Sequence, residues 1–482
     1  MTTATTKGAI DPYADPGTAS RTAVKALIML LITFIMGTLC LQGFNLVFVQ
    51  IGADVGAADQ ASLITAIPSI VLGIVSFIYG SLSDFVSLRR MVVFGVLTLF
   101  VGSVFGFVAS YFINGGLWVV IIARMLQTIG GQVAGSVYLV MATKYLATHL
   151  KVIFFGLFTA GYQLSAAIGV FAAGLLSSVA WQYLFLIPAV SIVFLPFLMK
   201  WLPGHSTSGD RIDWVGFTVF GVAVAFLTLF FSYMSWWMLI VAAVLFIAFG
   251  IYIAKARNPF ITPSFFKNVR WLLAISLILL FYFTNYCISP IFNAIGADVY
   301  GMSTGQVSAY IVWAFVVATV MGTSSGAIVG RIGQTASIVI AACLMIAGFV
   351  GSAFAVNAGF WVLTLCACVY YAGCGLIYSP LVATVLDTLP VDQSGRGVGM
   401  NDLVMNVTAS IGIAIFGGLM TTQALAGSSF TGASGSSAGY ANLLLIGGIV
   451  IAAGLVVFLL IRRKVYAGET KAEEHEPGPV EA

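Results

Sequence analysis

Long apolar runs recur along the chain and are separated by short polar segments. Each run has about 20 residues, the length that a helix needs to cross the roughly 30 Å hydrocarbon core of a bilayer. The runs are continuous rather than alternating, so they predict helices and not the strands of a barrel. We therefore predict an all-α polytopic membrane protein with fourteen transmembrane helices. The predicted spans lie near 24–49, 62–80, 91–112, 117–142, 152–178, 182–200, 214–233, 236–254, 271–293, 305–327, 336–356, 360–386, 398–420 and 441–461.

The composition supports this pattern and narrows the classes of function. Of the 482 residues, 60% are hydrophobic and 7% are charged, whereas soluble domains carry about 25% charged residues. The sequence has no nucleophile–base pair, no metal-ligand spacing and no phosphate-binding loop. We therefore expect neither an enzyme nor a nucleic-acid-binding protein, and no cofactor or metal. Residues 1–22 are polar and lack the pattern of a cleavable signal peptide.

The basic residues predict the orientation in the membrane. Nineteen of the 20 lysines and arginines lie in the tails, next to them, or in loops that follow even-numbered spans. Because basic residues accumulate in cytoplasmic loops, these loops and both termini are predicted to be cytoplasmic. The remaining base is Arg124, which lies within span 4, about two turns from its outer end.

A short repeat predicts how the spans are grouped. "GSLSDFVSLRR" follows span 2, and "GAIVGRIGQ" follows span 10 and aligns with it without a gap. The two stretches occupy equivalent places if spans 7 and 8 are an insertion between two six-span halves, an arrangement typical of secondary transporters. The predicted division is a polar N-tail (1–22), an N-terminal half (23–201), an inserted helix pair (202–255), a C-terminal half (256–462) and a disordered acidic C-tail (463–482).

Several of these motifs resemble those of a known family. "GSLSDFVSLRR" resembles the loop motif G-x-L-x-D-x-x-G-x-[KR]-[KR], with Ser87 in place of the second glycine. "RMLQTIGG" resembles a span-4 motif R-x-x-Q-G-x-G, with Arg124 and Gln127 retained. Over nearly its whole length the chain is similar to the major facilitator superfamily and its fourteen-span drug:proton antiporters. Spans 6, 13 and 14 resemble the tetracycline-efflux branch.

The resemblance implies a set of residues that control the conformational change. In the loop after span 2, Asp84 would cap a neighbouring helix and pair with a base across the interface between the halves, and Arg89 would be its nearby partner. A solvated turn with basic anchors is the alternative interpretation. The implied gating residues are Gly80, Asp84, Arg89 and Arg90 in this loop, and Gly169 and Gly174 in span 5, where close helix packing is the alternative role.

The sequence also departs from the family pattern. Val170 replaces the proline of the span-5 motif G-P-x-x-G-G, and span 1 has no acidic residue. Ile411 stands where the tetracycline pumps carry a glutamate, and all five glutamates of this chain lie in the C-tail. These departures put tetracycline as the substrate, and the usual proton-coupling residue, in doubt.

Polar residues inside the apolar spans are the candidates for a transport cavity. Arg124 and Gln127 lie one turn apart on one helix face, which predicts a polar stripe facing water; an arginine that reaches the outer interface is the alternative. Asp402 lies beside Asn401 and one turn from Asn406, and is the best acid for proton exchange. A helix-start acid stabilised by the helix dipole is an equally good interpretation of Asp402.

Span 9 combines aromatic and amide side chains. The spacing predicts that Tyr282, Asn285, Tyr286 and Asn293 share one helix face, with a kink at Pro290. Such a face suits a drug-sized amphipathic ligand, although an aromatic belt at the membrane interface would look the same. Three tyrosines of span 12 are candidates for ligand contact with the same alternative: Tyr370, Tyr371 and Tyr378.

Together these features predict a secondary active transporter. It would export small amphipathic molecules in exchange for protons, as a monomer in the bacterial cytoplasmic membrane. Two alternatives stay open: a substrate-specific carrier or facilitator without proton antiport, and a non-transporting membrane receptor on a transporter fold. The polar pair Arg124 and Gln127 argues against the receptor.

Overall fold

The computed structural model describes residues 16–83, 86–146, 148–204, 213–256, 259, 261, 263–389, 394–421 and 425–466. The described chain is almost entirely helical, which confirms the predicted all-α class. Its α-helices are α1 (Pro16–Asp54), α2 (Leu63–Leu82), α3 (Leu88–Tyr111), α4 (Leu117–Tyr145), α5 (Thr148–Ser177), α6 (Leu186–Ala189), α7 (Leu195–Trp201), α8 (Trp214–Tyr233), α9 (Trp236–Lys255), α10 (Pro263–Lys267), α11 (Val269–Phe281), α12 (Ile288–Tyr300), α13 (Thr304–Ile332), α14 (Gln334–Ala355), α15 (Phe360–Leu386), α16 (Ser394–Thr421) and α17 (Ser436–Tyr466).

The remaining regular elements are short. Three 3₁₀ segments cover Ala58–Gln60, Trp181–Phe185 and Val190–Phe194. The two strands β1 (Gly427–Ser428) and β2 (Ser434–Gly435) pair antiparallel in a small hairpin before α17.

Thirteen segments of the described chain are long and apolar enough to cross a membrane. They coincide with thirteen of the fourteen predicted spans, so the chain is a polytopic helical membrane protein. One of them, Trp181–Trp201, is built from 3₁₀ segments and the short helices α6 and α7. The exception is span 9. The fourteenth crossing and the location of both termini stay predictions.

The prediction of one continuous helix for span 9 is wrong. The structure has two helices there, α11 and α12, joined by a turn over residues 282–287. Within the turn the Asn285 N–H donates to the Tyr282 carbonyl at 3.1 Å, and the Cys287 N–H donates to Thr284 at 3.1 Å. Pro290 lies in the first turn of α12 and favours a break before it, because its ring would clash with the carbonyl four residues earlier in a continuous helix. The predicted kink is therefore a complete interruption.

The helices form two groups that meet along a few helix pairs. In the first group α1 packs against α4 and α5, and α3 against α4; in the second, α14 packs against α15 and α17. The groups meet where α2 packs on α16, α5 on α13 and α1 on α12. Small residues let helices within a group approach closely: a methyl group at Gly37 of α1 would lie 2.9 Å from the Gly131 Cα of α4.

The helix pair α8–α9 lies beside the junction of the two groups. The α8 helix packs against both α2 and α16, and the Phe217 and Phe77 rings meet edge to face at 5.7 Å. The Asp213 carboxylate caps α8 by accepting the Gly216 N–H at 2.9 Å, and it also accepts the Tyr252 hydroxyl of α9. This acid therefore ties the two helices together at one end.

Candidate functional site

A cavity lies between the two groups of helices; we call it the central cavity. It holds about 930 Å³ of space free of protein atoms, counting the part open to solvent. Aromatic side chains and amides from both groups line it, a mixture typical of sites for small amphipathic molecules. The lining residues are Phe34, Gln42, Leu72, Ser76, Gln132, Phe158, Thr159, Tyr162, Gln163, Tyr282, Asn285, Tyr286, Phe315, Tyr371, Cys374, Tyr378, Asp402, Met405 and Asn406.

The interrupted span 9 brings three predicted residues to this cavity. Tyr282, Asn285 and Tyr286 all belong to the turn between α11 and α12, and all three line the cavity. Asn293 does not join them: it lies on α12 and donates to the Leu46 carbonyl of α1 at 3.1 Å. The predicted common face therefore holds for the three residues of the turn, because the break changes the direction of the chain before Asn293.

Hydrogen bonds connect the turn to α16. The Tyr286 hydroxyl donates to Asn406 Oδ1 at 3.0 Å, and Asn406 Nδ2 donates to the Asp402 carbonyl at 2.8 Å. Tyr162 of α5 lines the same cavity. The hydrogen bonds therefore run from the turn to the helix that carries Asp402.

Asp402 is the only charged residue among the described residues that line the central cavity. Asp402 is partly accessible, and it borders the central cavity. A carboxylate in such a place can exchange a proton, or it can pair with a cation.

The start of α16 weakens the alternative interpretation of Asp402. The predicted span begins at residue 398, which would place Asp402 about one turn from the helix start. The observed helix begins at Ser394, so Asp402 lies more than two turns from its start. The helix dipole acts within the first turn, so stabilisation by the dipole does not explain an acid at this position.

Arg124 and Gln127 do not face the central cavity, so the predicted water-facing stripe is wrong. Arg124 is 2% exposed, its guanidinium lies 4.3 Å from the centre of the Phe44 ring, and Nη1 donates to Gln127 Oε1 at 3.2 Å. Gln127 Nε2 in turn donates to Ser103 Oγ at 2.9 Å and to the Phe185 carbonyl at 3.1 Å. The pair therefore links α4 to α1, to α3 and to the 3₁₀ segment of span 6, inside the first group of helices.

These contacts offset part of the free-energy cost of burying the Arg124 guanidinium. A cation over an aromatic face and a bond to an amide both stabilise a desolvated guanidinium. Within the described residues, Nε and Nη2 of Arg124 have no hydrogen-bond partner.

Asn401 also lies away from the central cavity, in contrast to the prediction. Its Nδ2 donates to the sulfur of Met405 at 3.3 Å, and the side chain is 1% exposed. Consecutive residues on a helix point about 100° apart, so Asn401 cannot share the face of Asp402. Asn406, four residues after Asp402, does share it.

The loop after span 2 is described in part. Asp84 lies outside the described residues, so its pairing across the interface stays a prediction. Arg89 Nε and Nη2 both donate to the Leu202 carbonyl, at 3.0 and 2.7 Å, which fastens the start of α3 to the end of span 6. Arg90 is exposed, and a methyl group at Gly80 would meet no atom within 4 Å.

The two span-5 glycines occupy different contacts. A side chain at Gly169 would overlap the Leu39 carbonyl of α1, within the first group. A side chain at Gly174 would overlap Ser308 of α13, across the junction of the groups. Both glycines therefore allow close packing. Only the contact of Gly174 crosses the junction, so only this contact would change if the two groups moved relative to each other. Its gating role stays a prediction.

Sequence reasoning missed several cavity residues. Gln42, Gln132, Tyr162 and Gln163 line the cavity, but none of them belongs to a motif that the sequence analysis recognised. A usable signal was present, since glutamines are costly in lipid-facing positions and these three lie inside apolar spans. Of the span-12 tyrosines, Tyr371 and Tyr378 line the cavity, whereas the Tyr370 hydroxyl donates to the Thr284 carbonyl at 3.2 Å.

A helical membrane protein with a polar cavity between two groups of helices has the architecture of a secondary transporter. The family model of the Major Facilitator Superfamily matches residues 27–413. The chain therefore belongs to this superfamily, a family of transporters and not of enzymes, and it is a multi-pass protein of the plasma membrane.

Two curated relatives come from Bacillus subtilis (strain 168). "Multidrug resistance protein 3" is 25% identical over 429 residues, which cover 84% of this chain and 81% of the relative. "Multidrug transporter protein MdtP" is 22% identical over 392 residues, which cover 78% and 71%.

Among solved structures, a POT family transporter in complex with a thioalcohol-conjugated peptide matches with a TM-score of 0.66 at 13% identity, covering 91% of this chain and 96% of that one. The human organic anion transporter MFSD10 (TETRAN) matches with a TM-score of 0.60 at 13% identity, covering 91% and 99%. At these identities the two structures show the shared fold.

Proposed function

We propose that this transporter exports small amphipathic molecules in exchange for protons. The observation that carries the proposal is the position of Asp402, the one charged residue among the described lining of the central cavity. A single carboxylate beside the substrate space can bind a proton when the substrate is absent and release it when the substrate arrives. Such competition couples the two movements when the carrier changes conformation only with the proton or the substrate bound.

The lining of the cavity supports the class of substrate. Five tyrosine rings with hydroxyl groups and five amides surround the space, so both apolar and hydrogen-bonding parts of a ligand find partners. The two curated relatives are named for multidrug resistance and multidrug transport. Both points favour amphipathic drug-like compounds over inorganic ions.

The mechanism we propose is alternating access between two six-helix halves, residues 23–201 and 256–462, with 202–255 as the inserted pair. The pairs α2–α16 and α5–α13 would separate at one end of the bundle while they close at the other. Glycines at both pairs permit close contact: a methyl group at Gly73 would lie 3.0 Å from the Leu403 carbonyl, and Gly174 meets Ser308. Asp84 and Arg89 would act at the cytoplasmic end of this movement.

The proposal is tested in inverted membrane vesicles that contain the full-length protein. A proton gradient, acidic inside, is imposed, and uptake of a panel of fluorescent amphipathic compounds that includes ethidium is followed. We expect gradient-driven accumulation that collapses with a protonophore. If no compound accumulates in response to the gradient, proton-coupled export is wrong for this panel's substrate class.

A second candidate is a substrate-specific carrier without proton antiport. Two sequence observations favour it: Val170 replaces the proline of the antiporter motif, and Ile411 replaces the glutamate of the tetracycline pumps. This candidate predicts substrate exchange across the membrane at equal rates with and without a proton gradient.

A further inference from the structure

A second cavity lies at the end of the bundle that the charge pattern assigns to the outside; we call it the outer cavity. It has about 1180 Å³ of space free of protein atoms, again counting the part open to solvent. Both groups of helices form it: the ends of α1 and α5 from one group, and α12, α13, α16 and α17 from the other. It is therefore a cavity between the two halves, separate from the central cavity.

A hydrogen bond across the halves separates the two cavities. Asn293 of α12 lines the outer cavity and donates to the Leu46 carbonyl of α1 at 3.1 Å. Four residues before Leu46, Gln42 lines the central cavity, and four residues after it, Gln50 lines the outer one. The order along α1 is thus central cavity, cross-half bond, outer cavity.

The outer ends of the halves are in contact elsewhere as well. Ser410 Oγ of α16 donates to the Ala66 carbonyl of α2 at 2.5 Å, and a methyl group at Gly417 would lie 3.1 Å from the Ser62 Cβ. Together with the contact between Gly174 and Ser308, these pairs close the outer end of the bundle. The outer cavity exists in this closed arrangement.

The outer cavity carries one negative charge, and its described lining contains no base. Asp298 is the only charged residue among its described lining, and its carboxylate accepts the hydroxyl of Tyr440. The charge pattern assigns every lysine and arginine except Arg124 to the opposite face, and Arg124 is buried among α1, α3 and α4. A concave acidic site on a face without bases attracts cations.

We propose that the outer cavity is a second binding site, which takes an organic monocation from the outer face. One carboxylate gives the described lining a single negative charge, which suits a monocation better than a divalent ion such as Ca²⁺. Val49, Pro290 and Met420 offer apolar contact, and Gln50 and Asn293 offer hydrogen bonds. A ligand with a positive nitrogen and an apolar body satisfies all of these groups.

Binding at this site holds the two halves together at the outer end. A ligand that touches α1 and α12 at once fits only while the outer end is closed, so it shifts the population toward the closed arrangement. This consequence rests on the proposed alternating access. The binding itself does not, because it requires no proton gradient and no transport.

The site is tested with ethidium and the full-length protein in nanodiscs, with empty nanodiscs as the blank. An Asp402→Asn background removes the charge of the central cavity. On it, ethidium binding should stay saturable and should weaken about tenfold or more with Asp298→Asn, which removes a charge-assisted contact. The amide oxygen of this variant would still accept the Tyr440 hydroxyl, so the fold is preserved. Asp54→Asn, an exposed outer acid outside the cavity lining, is the matched control and should change the Kd less than about twofold.

A separate variant tests whether binding requires a closed outer end. Gly174→Leu wedges α5 away from α13 at Ser308 while Asp298 stays in place, so ethidium binding on the same background should fall about tenfold. Size-exclusion chromatography confirms that each variant is folded. The proposal is overturned if Asp298→Asn binds ethidium like its background, or if Asp402→Asn alone abolishes binding. Unchanged binding in Gly174→Leu overturns the link to the closed outer end.

Discussion

The Tyr286 hydroxyl donates a hydrogen bond to Asn406 Oδ1 at 3.0 Å and so connects the turn that interrupts span 9 to the helix that carries Asp402. Tyr286 owes its position to the break before Pro290, since a continuous helix would point it in another direction. The interruption of span 9 therefore supplies part of the polar lining of the central cavity.

Replacing Tyr286 with phenylalanine removes this bond and keeps the ring. We expect a loss of about 1 kcal/mol of stability, the usual net worth of one hydrogen bond, together with a several-fold rise in the KM for the transported compound. Thermal unfolding of the purified protein and uptake kinetics measure the two effects. Tyr310→Phe changes an exposed tyrosine outside the described cavity lining and serves as the control. Equal effects of both variants would contradict the role given to the Tyr286 bond.

Gly169→Ala should destabilise the protein, because the added methyl group would overlap the Leu39 carbonyl. A backbone atom cannot avoid this overlap by changing rotamer, as a side chain can. Overpacking of this kind costs about 1–3 kcal/mol. Gly250→Ala, where a methyl group meets no atom within 4 Å, should be neutral or stabilising by up to about 1 kcal/mol. Melting temperatures in one detergent compare the two, and a stable Gly169→Ala protein would show that α1 and α5 do not pack as described.

Arg124 and Gln127 should behave as one structural unit rather than as cavity residues. Arg124→Ala and Gln127→Ala should each lower the stability, and the double variant should lose less than the sum, with a coupling of about 0.5–3 kcal/mol. A double-mutant cycle of thermal or denaturant unfolding gives this coupling.

The folded fraction of each single variant should keep its affinity for a transported substrate, since neither side chain lines the central cavity. Additive losses of stability would contradict the hydrogen bond between the two side chains, and a selective loss of substrate affinity would contradict their location.

The residues that sequence reasoning placed correctly share a property: their position depends on local structure. Asp402 and Asn406 are four residues apart on one helix, so helical periodicity alone puts them on one face. The same rule joined Arg124 to Gln127 correctly, and the structure shows their bond. Periodicity does not reveal which neighbour a face meets, and that face of α4 meets Phe44 and Ser103 instead of the cavity.

Span 9 shows a second limit of the sequence. Its apolar length predicts a crossing, and Pro290 marks a disturbance, but the extent of the disturbance depends on whether other groups satisfy the freed backbone. Here the turn at 282–287 supplies its own bonds and lines a cavity, so a full interruption is tolerated. The long-range contact of Asn293 with Leu46 could not be read from the chain, because 247 residues separate the two.

The central claim is that Asp402 exchanges its proton for the substrate. The most direct measurement is proton release from the purified full-length protein in weakly buffered detergent solution, as a transported compound is added. We expect up to one proton released per substrate bound by the wild type and by Asp387→Asn, whose exposed acid lies at the end of α15. Asp402→Asn, which lacks the exchangeable carboxyl proton, should release no proton. Undiminished proton release from Asp402→Asn would contradict the account.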